Sequence, residues 1–296
     1  MKTLPSLKQL EYLVALADEQ HFGKASARCN VTPSTLSAGI RELENLLGSL
    51  LAERTKRSVL MLPLGLEIAS RARSLLRDAE DIMELAASQN EPLTGNMRLG
   101  VIPTIGPFLL PRTLSAMHEK FPALRLFLLE DRTDNLLEKL RSGEIDVALI
   151  ALPYNIEGFT SHVLFEDQFQ LACPQNHPLA ALLQISRTEI TGQSLMLLEE
   201  GHCLRGHILN AYRLGGQKKL KEFEATSLHT LVQMVAAGLG LTLLPQIAID
   251  ANITAGTDIK LIPLADAASR QIGLVWRKSS PRDAEFKLLG NELMLH

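Results

Sequence analysis

The chain has 296 residues, 46% of them hydrophobic, and a net charge of -3. That is enough for two or three domains with cores of their own, and the overall charge is no signature of nucleic-acid binding. No run of 18 apolar residues is present, and the start, "MKTLPSLKQL", lacks the apolar centre of a signal peptide, so no membrane partner and a cytoplasmic location are expected.

Charge is uneven along the chain. Residues 1–58 carry eight Lys and Arg against six Asp and Glu, whereas the remainder carries 22 against 27. In this mildly basic segment, Ser6 can cap a helix with apolar positions Leu7, Leu10, Leu13, Val14 and Ala17. "FGKASARC" makes a short second helix. In "NVTPSTLSAGIRELENLLG", Thr32 is a natural N-cap and Pro33 suits the first helical position. Leu36, Ile40, Leu43 and Leu47 form the stripe to be buried. Opposite lie Ser34, Ala38, Arg41 and Asn45, flanked by Ser37. Such a small, polar face can enter the major groove, so Thr32, Ser34, Thr35, Ser37 and Arg41 are candidate DNA contacts. "LAERTKRSVLML" then puts Arg54, Lys56 and Arg57 on a hairpin-like wing able to grip phosphates. Packed helices with ordinary surface charges would read similarly.

From Leu64 to Ala86, the residues Ile68, Ala72, Leu75, Ala79, Ile82 and Ala86 repeat at spacings of 4-3-4-3-4. That heptad pattern suits a dimerisation helix, although it also suits a stripe packed on its own chain. "QNEPLTGN" breaks the helix as a hinge. The expected domains are thus a winged helix-turn-helix at 1–62, a linker helix at 63–90 and a regulatory region at 91–296.

Beyond Met97, strands "MRLGVIP", "LRLFLLED" and "IDVALIAL" alternate with helices "GPFLLPRTLSAMHEKFP" and "TDNLLEKLRSGE". This βαβαβ order implies an α/β fold with a largely parallel sheet. A second set follows: "FQLACP", "SLMLLEE", "LHTLVQMVAAGLG", "LTLLP", "IGLVWRK" and "RDAEFKLLGNEL". Thr104, Thr133 and the segment Gly201–Cys203 come just after strands, where ligands sit in open α/β sheets.

The stretches "LEYLVALADEQHFGKASARCNVTPSTLSAGIRELENLLG" and "LLAERTKRSVLMLPLG" resemble the LysR-type transcriptional regulators. The resemblance implies a winged helix-turn-helix, a dimerisation helix and a two-lobed sensor like bacterial solute-binding proteins, with crossings near residues 165–168 and 266–270. It also implies double-stranded operator DNA as partner, a homodimer or homotetramer, and RNA polymerase as a further contact. One departure is Leu62–Pro63–Leu64, where many members start the helix with a Thr-Pro-Ala type sequence.

Cys203, in "LMLLEEGHCLRGHILNAY", stands at the mouth of a helix. The helix terminus and Arg205 favour a thiolate, Glu199 and Glu200 oppose it, and a small buried residue filling a gap is the plainer reading. Cys29 and Cys173 read as core. No Cys-x-x-Cys or His-Glu-x-x-His occurs, so neither metal nor cofactor is expected. "GVIPTIGPFLLP", "LLEEGHCLRGH", "FEATSLHTLVQMVAAGLGLTLLP" and "IGLVWR" resemble the OxyR branch of that family, the hydrogen peroxide sensors. The resemblance implies an activator in which Cys203 is the peroxidatic thiol, with His202, Thr104 and Thr133 holding the peroxide. Two positions depart: Tyr212 stands where the branch has a resolving cysteine, and Glu222 where it has a second pocket histidine. The alternatives are a small-molecule effector in the same cleft or a cysteine peroxidase. The latter needs a reductant route that nothing in the sequence suggests.

Overall fold

The computed structural model describes residues 4–54, 59–87, 92–190, 193, 195–212, 225–265 and 268–294. The chain divides into two compact units: Met1–Asn90 with Arg141–Glu144, and Glu91–Leu140 with Ile145–His296. Among the described residues, no helix is long and apolar enough to cross a membrane.

The first unit holds α1 (Leu7–Glu19), α2 (Phe22–Arg28), α3 (Pro33–Leu47), the antiparallel strands β1 (Ala52–Arg54) and β2 (Val59–Met61), and α4 (Pro63–Ala87). Each of the first three helices starts at a side chain that satisfies orphan amides. Ser6 and Gln9 form a reciprocal capping box, His21 Nδ1 accepts from Gly23 and Lys24, and Thr32 accepts from Thr35. The core joins Leu13 and Leu16 to Ala25, Leu36, Ile40, Leu43 and Leu51. Gly39 lets α3 close on α1, since a Cβ there would lie 2.6 Å from the Tyr12 ring. Buried Glu44 accepts the Leu51 amide at 3.0 Å and so ties the end of α3 to the wing.

The expected stripes need trimming at their ends. Leu7 and Leu47, at opposite helix termini, are 53% and 38% exposed. On α4 the heptad stripe divides. Ala72 is buried against Leu10 and Val14 of α1, whereas Leu75 and Ile82 are exposed. The first half of α4 therefore belongs to this unit's own packing.

The second unit begins with β3 (Gly95–Val101), α5 (Gly106–Lys120), β4 (Leu124–Glu130), α6 (Thr133–Arg141) and β5 (Val147–Leu152). It continues with β6 (Phe159–Pro174), α7 (Arg187–Ile190), α8 (Cys203–Tyr212), α9 (Leu228–Ala236), β7 (Thr242–Pro245), α10 (Gln246–Asp250), β8 (Ile259–Pro263), β9 (Ser269–Arg277) and α11 (Asp283–Met294). The strand order is β4-β3-β5-β9-β6-β7, with β8 also on β6.

The expected βαβαβ set is parallel, but the sheet it joins is mixed. β3 is parallel to β4 and β5, but β9 returns from the far end of the chain and inserts antiparallel between β5 and β6. β6 is the member that makes two lobes. Its residues to Gln168 pair with β9, and from Phe169 they pair with β7 and β8. "SLMLLEE" is also no regular strand. Among its described residues, isolated bridges form instead, Leu195 with Leu241 and Leu198 with Ala225. Part of its backbone is satisfied by side chains instead: Thr242 donates to the Met196 carbonyl and Arg205 to that of Leu198.

Candidate functional site

The DNA-facing candidates lie at the start of α3. Thr32, Ser34, Thr35 and Arg41 are exposed and Ser37 is half-buried. Thr32 Oγ1 lies 2.8 Å from the hydroxyls of both Ser34 and Thr35, so the three make one polar cluster at the helix entrance. Arg41 Nε donates to the Ser37 carbonyl at 3.4 Å. Arg54 ends β1, and Lys56 and Arg57 lie outside the described residues, so the wing cations have no described side-chain positions.

The second site is in the regulatory unit. Thr104 follows β3, Thr133 opens α6, and His202 and Cys203 stand at the start of α8. All four line one small cavity, with Arg132 and Gly201 among its other walls. Its volume of about 10 Å³ takes about one water-sized molecule. Gly201 suits this turn because its φ of +97 is a conformation that residues with a Cβ rarely adopt. Arg132 also pairs with Glu199, which draws the approach to α8 against the loop after β4.

Sequence reasoning missed the cation of this site. Arg270, at the start of β9, is buried beside Asp167 of β6, with Nε 2.9 Å from Oδ2. Its other nitrogens donate to Thr104, at 2.8 Å to the hydroxyl and 3.0 Å to the carbonyl. Asp167 Oδ1 accepts the Ile247 amide at 2.9 Å. Asp167 in "FEDQF" and Arg270 in "SRQIG" were the available signal, because charge in a buried strand needs a partner.

Burial is the largest influence on the Cys203 thiol and pushes it above its ordinary value. Arg270 is the strongest opposing influence, followed by the Thr133 hydroxyl and the amides of Leu204 and Cys203 itself. The expectation for Arg205 is thereby revised: its guanidinium reaches the Leu198 carbonyl at 2.8 Å and Glu200 at 3.8 Å. The Thr133 hydroxyl makes no hydrogen bond of regular geometry with any described protein atom. His202 is held below its ordinary value, first by burial and then by Arg132, with Glu199 opposing. Cys29 and Cys173 are buried and pushed up by that burial. Tyr212 ends α8 with its side chain outside what is described, as is Glu222. No cluster of metal-ligating residues occurs among the described residues.

A winged helix-turn-helix and a two-lobed sensor in one chain define a regulator that reads DNA and a chemical signal. The pattern described as "Bacterial regulatory helix-turn-helix protein, lysR family" matches residues 7–66, and "LysR substrate binding domain" matches residues 90–294. The chain belongs to the LysR family of transcriptional regulators. It is 42% identical over 290 residues to the HTH-type transcriptional regulator EstR of Acinetobacter baylyi, covering 98% of this chain and 96% of that protein. It is 38% identical over 288 residues to the DNA-binding transcriptional dual regulator OxyR of Escherichia coli, covering 97% and 94%. A full-length OxyR variant from Pseudomonas aeruginosa superposes with a TM-score of 0.83 at 36% identity, covering 99% of this chain and 96% of that one. A peroxide-bound OxyR variant from Corynebacterium glutamicum gives 0.68 at 35% identity, covering 99% and 93%.

Proposed function

We propose that this regulator senses hydrogen peroxide, or thiol oxidation more broadly, through Cys203, and that it works in the cytoplasm on double-stranded operator DNA. The observation that carries the reading is the convergence of Thr104, Thr133, His202 and Cys203 on a cavity of one-molecule size. In the step proposed, the Cys203 thiolate attacks one peroxide oxygen. A sulfur–oxygen bond forms, the oxygen–oxygen bond breaks, and hydroxide leaves to be protonated to water. Sulfur is oxidised to a sulfenic acid and the peroxide is reduced. Thr133 and His202 are the groups at hand to polarise the peroxide, and Arg270 steadies the sulfur's negative charge.

The proposed assembly is a homodimer, with two dimers forming a tetramer on DNA and with RNA polymerase as the protein it contacts as an activator. Exposed Leu75 and Ile82, seven residues apart on α4, support a helix-to-helix seam. The domain division proposed is 1–62 for DNA, 63–90 for dimerisation and 91–296 for sensing. Thr32, Ser34, Thr35, Ser37 and Arg41, with wing residues Arg54, Lys56 and Arg57, are proposed as the DNA contacts. The testing experiment is intact mass before and after stoichiometric peroxide, with Cys203→Ser as control. One oxygen should be added to the native chain and none to the variant. No added oxygen in either would leave a LysR-family sensor of another signal.

A further inference from the structure

The small cavity is walled from both lobes. Thr104, Arg132 and Thr133 follow β3 and β4, whereas Gly201, His202 and Cys203 belong to the approach to α8. Arg132 differs from its neighbours in exposure. Thr104 and Thr133 are buried and His202 is 9% exposed, but the Arg132 side chain is 41% exposed and that of its partner Glu199 29%. The ion pair thus meets solvent on one side, while Arg132 forms cavity wall on the other.

Both backbones are held in place. Asp131 Oδ1 accepts from the Arg132 amide at 2.8 Å and from Asn135 Nδ2 at 2.7 Å. The Arg132 carbonyl accepts the Leu136 amide at 3.0 Å as α6 begins. Across the cavity, the Glu199 amide donates to the Ala225 carbonyl at 3.0 Å. The Arg132 side chain reaches over Gly201, where a Cβ would meet three of its atoms at 2.7 to 3.4 Å. Glu199 Oε1 also lies 3.8 Å from His202 Nε2.

An ion pair between fixed backbones closes a space, yet a part-exposed pair is weak and opens readily, the more so in salt. Closed, the cavity has about 10 Å³. Hydrogen peroxide brings no carbon into that space, whereas an organic hydroperoxide brings a carbon group that close-packed walls resist.

We propose that the Arg132–Glu199 pair is the latch of this cavity and sets the oxidant specificity of Cys203: closed, it confines the oxidant to hydrogen peroxide, and open, it admits organic hydroperoxides. The inference rests on the peroxide reaction proposed above. With an organic hydroperoxide the same bonds change. The terminal oxygen bonds to sulfur, the oxygen–oxygen bond breaks, and alkoxide leaves to take up a proton as the alcohol. Sulfur is oxidised and the hydroperoxide is reduced.

The test uses the full chain, with modification read on the Cys203 peptide. Rate constants for hydrogen peroxide and tert-butyl hydroperoxide are each divided by that of N-acetylcysteine at matched thiolate, which removes the oxidants' intrinsic reactivity. In the native chain the organic hydroperoxide should be disfavoured at least about 100-fold. Arg132→Ala and Glu199→Ala should each shrink that preference to under about tenfold, and Arg132→Lys, which keeps the charge, should retain most of it. Added salt should raise the tert-butyl hydroperoxide rate about twofold in the native chain and leave that of Arg132→Ala unchanged. A residue that only supported the fold would alter both oxidants together. An equal preference in native and variant chains would overturn the proposal. So would a native chain with no preference, its sulfur being fed instead from the cleft of about 340 Å³ along α8 that Cys203 also lines. A peroxide-free arm separates the two readings: reduced Cys203 is alkylated with iodoacetamide or the bulkier N-ethylmaleimide. Arg132→Ala should favour the maleimide at least about fivefold over the native ratio. That gain, in a chain to which neither oxidant adds oxygen, would uphold the latch and remove the peroxide reading. Oxygen addition with unchanged ratios in both arms would do the reverse.

Discussion

Arg270→Met tests the buried pair that holds the sensor site together. The native guanidinium is 1% exposed and bonds Asp167 and both oxygens of Thr104. Methionine fills comparable space but leaves the Asp167 carboxylate buried with the Ile247 amide. Stranding one member of a buried ion pair costs about 3–5 kcal/mol. Adding Asp167→Leu removes the stranded charge. The remaining deficit is then the unpaired Ile247 amide and Thr104 oxygens, about 1–3 kcal/mol, so the double variant should recover about 2 kcal/mol. The assay is equilibrium denaturation followed by tryptophan fluorescence. Trp276 is the chain's single tryptophan and lies buried on β9, so the signal reports this unit alone. A loss below about 1 kcal/mol in the single variant, or a double variant no more stable than the single, would refute the assignment of this pair as a structural clamp.

Gly39→Ala should destabilise the DNA-binding unit by about 1–3 kcal/mol, because the new methyl group meets the buried Tyr12 ring. Circular dichroism melting of the full chain checks this, and an unchanged first transition would count against close α1–α3 packing. Iodoacetamide labelling of Cys203 should rise with pH through a value above that of an ordinary thiol, since burial outweighs Arg270 and the thiolate forms only as the pH passes the raised value. Cys203 should still label before Cys29 and Cys173, which are buried. Thr133→Val removes a buried hydroxyl that lacks a regular partner. The variant should be at least as stable as the native protein and about tenfold slower to take up oxygen from peroxide, measured by quenched mass spectrometry.

The helix-turn-helix was legible in detail because its signals are local. Thr32, Pro33 and the Leu36–Ile40–Leu43 stripe are all read within a few turns, and the structure caps and buries them so. The first three strands of the regulatory unit were legible for the same reason. The first half of β6 was not, because "FTSHVLFEDQ" mixes exposed and buried positions without strict alternation. Neither was the antiparallel insertion of β9, which depends on partners far apart in the chain. At the site, Thr104, Thr133 and the segment Gly201–Cys203 were marked by their place just after strands, and the resemblance then gave Thr104, Thr133, His202 and Cys203 their roles. Arg270 was not, since proximity across the fold, rather than sequence neighbourhood, decides which cation acts on a sulfur; Arg205 is adjacent in sequence and turns to a carbonyl instead.

In mechanical terms, β6 is one beam built into two plates. Its pairing with β9 ends at Gln168, and that with β7 begins at Phe169, without a break in the strand. A rotation of one plate against the other is therefore concentrated as torsion over that single step. Asp167 sits one residue before it, clamped to Arg270 and to the Ile247 amide at the start of α10. The torsion axis and the clamp beside the Cys203 sulfur thus share the same few atoms. A change in charge or size at Cys203 acts close to the pivot, where a small displacement becomes a large sweep at the outer edges of both plates.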